Sequence, residues 1–325
     1  MSGRLKVAVL SGGRSSEHDV SLRSGAAVGR GLEEAGHEVV PVRIGREGAW
    51  DHDGQAIELV PGGGLLGADV AFPVLHGAFG EDGSLQGLLE MLDLPYVGSD
   101  VLASATCMDK LTLKRLFAQR GVPQVDFAAV GDPGWRERCE QMGLPLWVKP
   151  SRMGSSVGIT RVEKIDELET AVEFALRHDP RVIVEASAIG REVECSVLGN
   201  ESPQTSFPGE IVAKAGWYDF DSKYADGGME LLVPAPIPAL QEERIRELAA
   251  STFLLAGCSG LARCDFFVEP DGEVLVNEIN TMPGFTETSV YAKLLEASGT
   301  SYPDLCDRLV GLAIERHTRA RSYEF

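Results

Sequence analysis

The amino-acid sequence predicts an α/β protein of three regions, the first of which is a small doubly wound domain with a parallel sheet. Three neighbouring segments support this. The run LKVAVLSGG (5–13) is typical of a buried strand ending in a glycine turn, VSLRSGAAVGRGLEEAG (20–36) has helical spacing, and HEVVPVRI (37–44) is typical of a second strand. Strand, glycine loop, helix and strand in this order form a βαβ unit, which makes the two strands parallel.

The remaining elements are predicted in chain order. The first region, 1–99, continues with a strand at 69–77, an acidic loop and the helix SLQGLLEMLDL. For the second region, 100–185, we expect a helix at 109–121, a strand at 144–150, a Gly/Ser loop at 152–158, the strand ITRV, a helix at 166–178 and a strand at 181–186. For the third region, 186–325, we expect the strands REVECSVLGN and PGEIVA, a polar loop at 214–229, a helix, the strand pair 263–280 and a last helix.

The composition restricts the partners of the chain. Acidic residues outnumber basic ones, 49 to 30, which gives a net charge of −19. Nucleic acid and anionic membranes repel such a chain, although a few lysines gathered locally could bind a nucleotide.

No apolar run approaches the roughly 20 residues of a membrane span, and the N-terminus does not resemble a secretory signal. The six cysteines are scattered without a CxxC pair, so we expect reduced core cysteines in a cytoplasmic protein.

The strand pair 263–280 is the first candidate site. Two strands flank a Pro-Asp-Gly turn, and alternation places Arg263 and Asp265 on one side of the first strand and Glu278 and Asn280 on one side of the second. Paired strands could therefore present all four side chains on one surface. Clustered oxygen ligands suit Mg²⁺. The local pattern leaves a solvated polar hairpin face equally open.

A second candidate site is the Gly/Ser loop at 152–158. Lys149 ends the apolar strand before it, and loop N–H groups beside a lysine can bind phosphate oxygens. The loop is not a Walker A motif, because GxxxxGK[ST] does not occur in the chain. Residues 154–158 also fit GxSxG, the nucleophile motif of serine hydrolases, which would make Ser156 the nucleophile. That motif needs a helix after the turn, whereas ITRV predicts a strand, so a flap over phosphates is the favoured interpretation.

Two glycine-rich acidic loops follow strands of the first region. One contains Glu17 at the start of a predicted helix, where an acid could simply interact with the helix dipole. The other begins at His76 and reads HGAFGEDG. Since strands of a parallel sheet end at one edge, the two loops predict a ligand site for a small cationic group.

Together these motifs resemble the D-alanine–D-alanine ligases of the ATP-grasp superfamily over essentially the whole chain. The matching blocks, in order, are SGGRSSEHDVSLRSG, HGAFGEDGSLQG, YVGSD with MDK, VKPSRMGSSVGI, WYDFDSKY, RCDFF and NEINTMPGFTETS. The resemblance implies an ATP-grasp fold of three domains: an N-terminal Rossmann-like (pre-ATP-grasp) parallel-sheet domain at 1–99, a central α+β subdomain with the phosphate flap at 100–185, and a C-terminal α+β subdomain with the metal site and an omega loop at 186–325.

The resemblance also implies a reaction. ATP would phosphorylate the carboxylate of a first D-alanine, and the amine of a second D-alanine would attack the D-alanyl phosphate, releasing ADP and phosphate and supplying the dipeptide for peptidoglycan precursors. Related ligases use D-lactate or D-serine as the second substrate, and Tyr224 favours D-alanine here. A nucleotide-binding regulatory protein without catalysis would be expected to lack Arg263, Glu278 or Lys149, and all three are present.

Residue roles carry over by position. Glu17 matches the acid that holds the first ammonium, with Ser155 and Tyr224 as its hydrogen-bonded partners and His76 nearby at the substrate edge. Arg263 and the N–H of Gly284 match the groups that stabilise the oxyanion, and Ser289 matches the contact to the second carboxylate. The positions that match ATP contacts are Lys110, Lys149, Ser155, Ser156, Glu185, Glu192 and Lys223. The positions that match metal ligands are Asp265, Glu278 and Asn280.

The resemblance implies ATP as co-substrate, two Mg²⁺ or Mn²⁺ ions per site, two D-alanine molecules and a homodimer. One departure is Ala186, which stands where the family often has a lysine, so adenine recognition is open in its details.

Overall fold

The structure is a computed structural model that describes residues 3–154, 157–213 and 229–323. The predicted site residues Ser155, Ser156, Lys223 and Tyr224 lie outside these ranges. Three sheets take their strands from successive parts of the chain. Within the described ranges, no helix is long and apolar enough to cross a membrane.

The first sheet has the order β4-β3-β2-β1-β5. Its strands are β1 (Lys6–Gly12), β2 (Glu38–Ile44), β3 (Trp50–His52), β4 (Gln55–Ala56) and β5 (Val70–Pro73), and its helices are α1 (His18–Glu34) and α2 (Ser84–Met91). Strand β1 pairs in parallel with β2 and β5, which confirms the predicted βαβ unit. The sheet is not parallel throughout, because β3 pairs antiparallel with β2 and β4.

The second sheet is antiparallel, with the order β6-β9-β7-β8. Its elements are α3 (Val101–Met108), α4 (Lys110–Gln119), β6 (Phe127–Ala129), α5 (Trp135–Met142), β7 (Leu146–Pro150), β8 (Thr160–Val162), α6 (Leu168–Ala175) and β9 (Val182–Ala186). Asp109 separates α3 from α4, and its carboxylate caps α4 by accepting the Thr112 N–H at 3.0 Å. Strand β8 follows the flap as predicted, so the GxSxG pattern is not followed by the helix that a hydrolase elbow requires.

The third sheet has the order β13-β12-β10-β14-β15, with β11 beside β10. Its elements are β10 (Arg191–Gly199), β11 (Gln204–Thr205), β12 (Gly209–Ala213), β13 (Met229–Leu232), α7 (Ala239–Leu255), β14 (Gly260–Val268), β15 (Val274–Asn280), α8 (Val290–Ala297) and α9 (Tyr302–Ala320). The expected last helix is therefore two helices. Ser301 caps the second by accepting the Asp304 N–H, and a proline follows within its first turn.

One apolar cluster contains residues from both the N-terminal sheet and the C-terminal helix. Helix α9 contributes Leu305 and Leu309 to the cluster that also contains Val7, Val9 and Phe72 of the first sheet. The C-terminal helix thus covers the N-terminal sheet, and this fixes the first sheet against the third. The loops that leave β1, β5 and β15 are held together as a result.

Candidate active site

A cavity of about 730 Å³ lies where the three sheets meet. It is lined by most of the predicted site residues that the structure describes: Glu17, His76, Lys110, Lys149, Glu185, Glu192, Arg263, Glu278, Asn280, Gly284 and Ser289. Asp265 is joined to this set through its contacts with Arg263 and Asn280. Residues far apart in the sequence are therefore brought to one concave surface, as expected for a site that binds several small molecules.

The two glycine-rich loops of the first region meet beside Glu17. The Ser15 hydroxyl donates to the His76 carbonyl at 2.7 Å and accepts the Glu17 N–H at 3.2 Å. Glu17 is buried and is the N-cap residue of α1, yet its side chain makes no capping hydrogen bond. A Cβ on Gly77 would lie 2.8 Å from Glu17 Oε2, and one on Gly154 of the flap 3.6 Å from it. The Glu17 carboxylate therefore faces the other loop and the flap, not the helix end.

His76 connects the first region to the loop after β15. Its Nδ1 lies 3.0 Å from the Met282 carbonyl oxygen and its Nε2 3.1 Å from the Ser24 hydroxyl. Because a carbonyl can only accept, Nδ1 carries the proton and Nε2 accepts from Ser24. Burial lowers the pKa of His76, and the nearby Glu17 charge opposes this only in part. The imidazole is thus held neutral with a fixed orientation.

Glu81 is a site residue that the sequence analysis did not single out, although it lies within HGAFGEDG. Its carboxylate accepts the Gly77 N–H at 2.6 Å and the Met282 N–H at 3.3 Å. Burial, reinforced by the Glu17 charge, raises the pKa of Glu81 to about 8. The side chain therefore ties the loop after β5 to the loop after β15.

The strand pair β14–β15 forms the predicted polar surface. In its register Arg263 lies opposite Asn280 and Asp265 opposite Glu278. Arg263 donates to Asp265 from Nε to Oδ1 at 2.7 Å and from Nη2 to Oδ2 at 2.7 Å, and Asn280 Nδ2 donates to Asp265 Oδ2 at 3.0 Å. Burial would lower the pKa of Arg263, but the Asp265 and Glu194 carboxylates hold it well above its usual value.

These donors fit a divalent cation. Among the described residues, no group of three or more His, Cys, Asp or Glu side chains is arranged to hold a metal. The set here is instead two carboxylates and a carboxamide on facing strands, with Lys110 Nζ 3.7 Å from Glu278 Oε2. Mg²⁺ is commonly bound in this way, by one or two carboxylates with the other positions left to water and substrate phosphates.

The cavity wall also contains a carboxylate between two lysines. Glu185 Oε2 lies 2.6 Å from Lys149 Nζ, and Oε1 lies 3.1 Å from Lys114 Nζ. Burial alone would raise the pKa of Glu185, but the two ammonium groups outweigh it and lower the pKa to about 2. Lys114 was not predicted. The available signal was its spacing of four residues from Lys110, which puts both lysines on one face of α4.

The loop after β15 supplies the last predicted residues. A Cβ on Gly284 would lie 3.3 Å from Ser289 Oγ, so the two residues are adjacent. The Ser289 hydroxyl accepts the Thr286 N–H at 3.0 Å and lies 2.8 Å from Thr286 Oγ1. Tyr302 of α9 donates to the Phe285 carbonyl at 3.0 Å, which anchors this loop to the core.

Models of known families match nearly the whole chain. The D-ala D-ala ligase N-terminus matches residues 6–64 and 60–99, and the D-ala D-ala ligase C-terminus matches residues 116–311. The D-alanine–D-alanine ligase of Geobacillus kaustophilus (strain HTA426) is 41% identical over 359 residues, covering 99% of this chain and 98% of the relative. The D-alanine–D-alanine ligase A of Escherichia coli (strain K12) is 41% identical over 352 residues, with 97% of each chain covered.

Solved structures agree with this grouping. The D-alanine–D-alanine ligase from Coxiella burnetii is 36% identical with a TM-score of 0.87, covering 99% of this chain and 97% of that one. The VanG D-Ala:D-Ser ligase from Enterococcus faecalis is 35% identical with a TM-score of 0.86, covering 96% of this chain and 100% of that one. The predicted three-domain ATP-grasp fold is confirmed by these neighbours. On sequence and structure alike, the chain belongs to the D-alanine–D-alanine ligase family.

Proposed function

We propose that this chain joins two molecules of D-alanine at the expense of ATP and so supplies D-alanyl-D-alanine for peptidoglycan precursors. The observation that carries the proposal is the meeting of three different groups in one cavity, the Glu17 carboxylate, the Arg263 guanidinium and the Lys149 ammonium. An amino-acid ammonium requires an anion, a developing oxyanion requires a cation or N–H donor, and phosphates require lysines. A two-step reaction through D-alanyl phosphate uses all three.

The first D-alanine binds with its ammonium at Glu17. The residue Glu17 is 8% exposed, so little solvent reaches it to screen its charge. The neutral His76 beside it does not repel the ammonium. Ser155 and Tyr224 are proposed to complete the contacts from the flap and the polar loop, in line with the matched motifs.

Phosphoryl transfer needs charge neutralisation and alignment more than covalent chemistry from the protein. We assign this to Lys110, Lys149 and Lys223, with Glu185 and Glu192 at the adenosine end. Asp265, Glu278 and Asn280 would hold Mg²⁺ or Mn²⁺, two ions per site, and a bound ion would neutralise phosphate charge. Lys110 also donates to the Met153 carbonyl at 3.0 Å, which connects the phosphate end to the flap.

The second D-alanine attacks the acyl phosphate with its free amine. Its carboxylate is assigned to Ser289, whose hydroxyl is positioned by Thr286. Arg263 and the Gly284 N–H stabilise the charge on the tetrahedral oxygen. An acyl phosphate hydrolyses in open water, so the flap and the polar loop are proposed to exclude solvent while it exists.

A D-alanine–D-serine ligase is the second candidate, because the VanG D-Ala:D-Ser ligase is a structural neighbour with a TM-score of 0.86. A D-alanine–D-lactate ligase is a further alternative, which would use the same first substrate and D-lactate as the second. A homodimer in the cytoplasm stays a prediction of the family resemblance.

Phosphate release tests the proposal directly. Purified protein is incubated with ATP, Mg²⁺ and D-alanine, alone or with an equal amount of D-serine or D-lactate, and products are identified by mass. We expect release with D-alanine alone and D-alanyl-D-alanine as the main product. Release only with D-serine or D-lactate present would move the assignment to that ligase, and no release with any D-substrate would refute ligase activity.

Two controls separate the other functional classes. L-alanine should give no release, because the proposed ligase acts on D-amino acids. A fluorophosphonate probe should leave Ser156 unlabelled, whereas labelling would favour a serine hydrolase. ATP binding without phosphate release under all conditions would indicate a regulatory nucleotide-binding protein.

A further inference from the structure

Lys114 is a buried lysine behind the wall of the cavity. Its side chain is about 2% exposed, and it lies on α4 one turn after Lys110, which lines the cavity. A fully buried ammonium is rare unless a partner offsets the loss of hydration. The partner here is Glu185, at 3.1 Å, and its charge opposes the lowering of the Lys114 pKa that burial causes.

Glu185 is shared between this buried lysine and one inside the cavity. Its side chain is 3% exposed, with Lys114 on one oxygen and Lys149 on the other. The Lys149 side chain is 16% exposed, so of the two lysines it is the one that a ligand in the cavity can reach. The carboxylate is thus held from behind by Lys114 and faces the ligand space together with Lys149.

The two lysines sit on elements that are fixed to each other. Ser151, just after β7, accepts the Leu111 N–H at 3.0 Å and donates to the Asp109 carboxylate at 2.9 Å. The Lys110 N–H in turn donates to the Ser151 carbonyl at 3.0 Å. The start of α4 is therefore locked to the end of β7, which sets the spacing between Lys114 and Lys149.

A nucleotide whose phosphates bind Lys149, as proposed above, would compete with Glu185 for this lysine. If Lys149 turns to the phosphates, the buried carboxylate loses one of its two cations and would be left uncompensated without the other. We propose that Lys114 is a positioning residue for nucleotide binding, which keeps Glu185 charged and in place so that Lys149 is free to engage the phosphates. This inference rests on the proposed roles of Lys149 and Glu185.

ADP binding tests the inference without turnover. Calorimetry of the full chain with ADP and Mg²⁺ compares the wild type with Lys114→Met, which keeps the length of the side chain but removes its charge. We expect Kd to rise about tenfold or more, as for loss of a buried ionic partner. In steady state, KM for ATP should rise similarly, while kcat at saturating ATP stays within about threefold and KM for D-alanine is unchanged. Lys164→Met, at an exposed lysine in the same region, should match the wild type.

A double-mutant cycle separates positioning from general packing. If Lys114 acts through Glu185, Lys114→Met in a Glu185→Gln background should change the Kd for ADP by less than about twofold. The double variant should also melt at a higher temperature than Glu185→Gln alone, because Glu185→Gln leaves the buried Lys114 ammonium without a carboxylate and the second substitution removes that charge. If Lys114→Met does not fold, Lys114→Gln and its double variant are judged by the same criteria.

Two results would overturn the inference. One is an unchanged Kd for ADP in the folded Lys114 variant. The other is a double variant whose Kd for ADP rises by the product of the fold-changes of the two single variants. Neither depends on ligase activity, since ADP binding is measured without D-alanine. Wild-type protein that binds ADP but forms no dipeptide would instead contradict the proposed function.

Discussion

Arg263 holds both carboxylate oxygens of Asp265, with Nε–Oδ1 and Nη2–Oδ2 distances of 2.7 Å each. The two residues lie two positions apart on β14, so they project from the same face of the strand. Glu194 on the paired strand β10 adds a second carboxylate 3.0 Å from Arg263 Nε. A two-point ion pair fixes the plane of the guanidinium, which is the geometric condition for stabilising an oxyanion at a defined place.

Arg263→Ala should lower kcat about 10²- to 10³-fold, the usual effect of removing one oxyanion donor. KM for ATP should change by less than about threefold, because in its proposed role the arginine acts on charge that develops only in the transition state. Steady-state kinetics at several ATP concentrations measure both constants. Arg191→Ala is the matched control, since Arg191 is a half-exposed arginine on the adjacent strand that pairs with Glu210. Equal losses in kcat and in ATP affinity would mean that Arg263 contributes to substrate binding only and not to stabilisation of the transition state.

Glu17→Gln should raise the KM for the first D-alanine about tenfold or more, because the amide keeps the shape of the side chain but loses the charge that is proposed to bind the ammonium. The KM for ATP should stay near the wild-type value. Asp19→Asn is the control, since Asp19 is an exposed acid on the same helix that pairs with Arg46. An unchanged KM for D-alanine in Glu17→Gln would remove Glu17 from this role.

Local sequence patterns were sufficient to predict which side chains share a face on the strand pair that contains Arg263. Alternation placed Arg263, Asp265, Glu278 and Asn280 on one surface, and the observed register confirms it. The βαβ unit likewise follows from short-range apolar spacing. The choice between a solvated hairpin and part of a binding site could not be made locally, because it depends on the lysines and loops that pack across the cavity.

Other features depend on contacts between segments that are distant in the sequence. The pairing of Lys114 with Glu185 requires α4 to pack behind β9, which no local spacing reveals. From the sequence, Glu81 is only an acidic residue in a loop, because the Met282 N–H that it accepts comes from a distant segment. The β3–β4 hairpin did have a local signal, Asp53-Gly54, whose positive φ angles of 52° and 75° are those of a two-residue turn.

The raised pKa of Glu81, about 8 against an ordinary 4.5, predicts a pH-dependent loss of stability. Between these values the folded state retains a proton that the unfolded state has released. The free energy of unfolding should therefore fall as pH rises from about 5 to 8, by at most about 1.4 kcal/mol per pH unit from this group. Above about pH 8 both states are ionised and the contribution is constant.

Glu81→Gln should remove this contribution, because a neutral amide does not titrate. Urea unfolding of variant and wild type at pH 5 and pH 8 measures it. We expect the stability of the variant relative to the wild type to be greater at pH 8 than at pH 5. A difference that does not depend on pH would mean that the Glu81 carboxyl is not protonated in the folded protein at low pH.

Gly77→Ala tests how closely the two glycine-rich loops approach each other. Gly77 has φ +72°, and an added Cβ would lie 2.8 Å from Glu17 Oε2. The left-handed backbone should cost about 1–2 kcal/mol of stability, and displacement of Glu17 should also raise the KM for D-alanine. Gly121→Ala is the matched control, because Gly121 has φ +66° and nothing within 4 Å of the added Cβ.

Both alanine variants should show a similar loss in urea unfolding, and only Gly77→Ala should bind D-alanine more weakly. The comparison isolates the contact with Glu17 from backbone strain, since strain is common to both positions. A wild-type KM for D-alanine in folded Gly77→Ala would mean that the Glu17 carboxylate can move without consequence. A raised KM in Gly121→Ala would attribute the effect to general destabilisation, because Gly121 follows α4 and has no contact with Glu17.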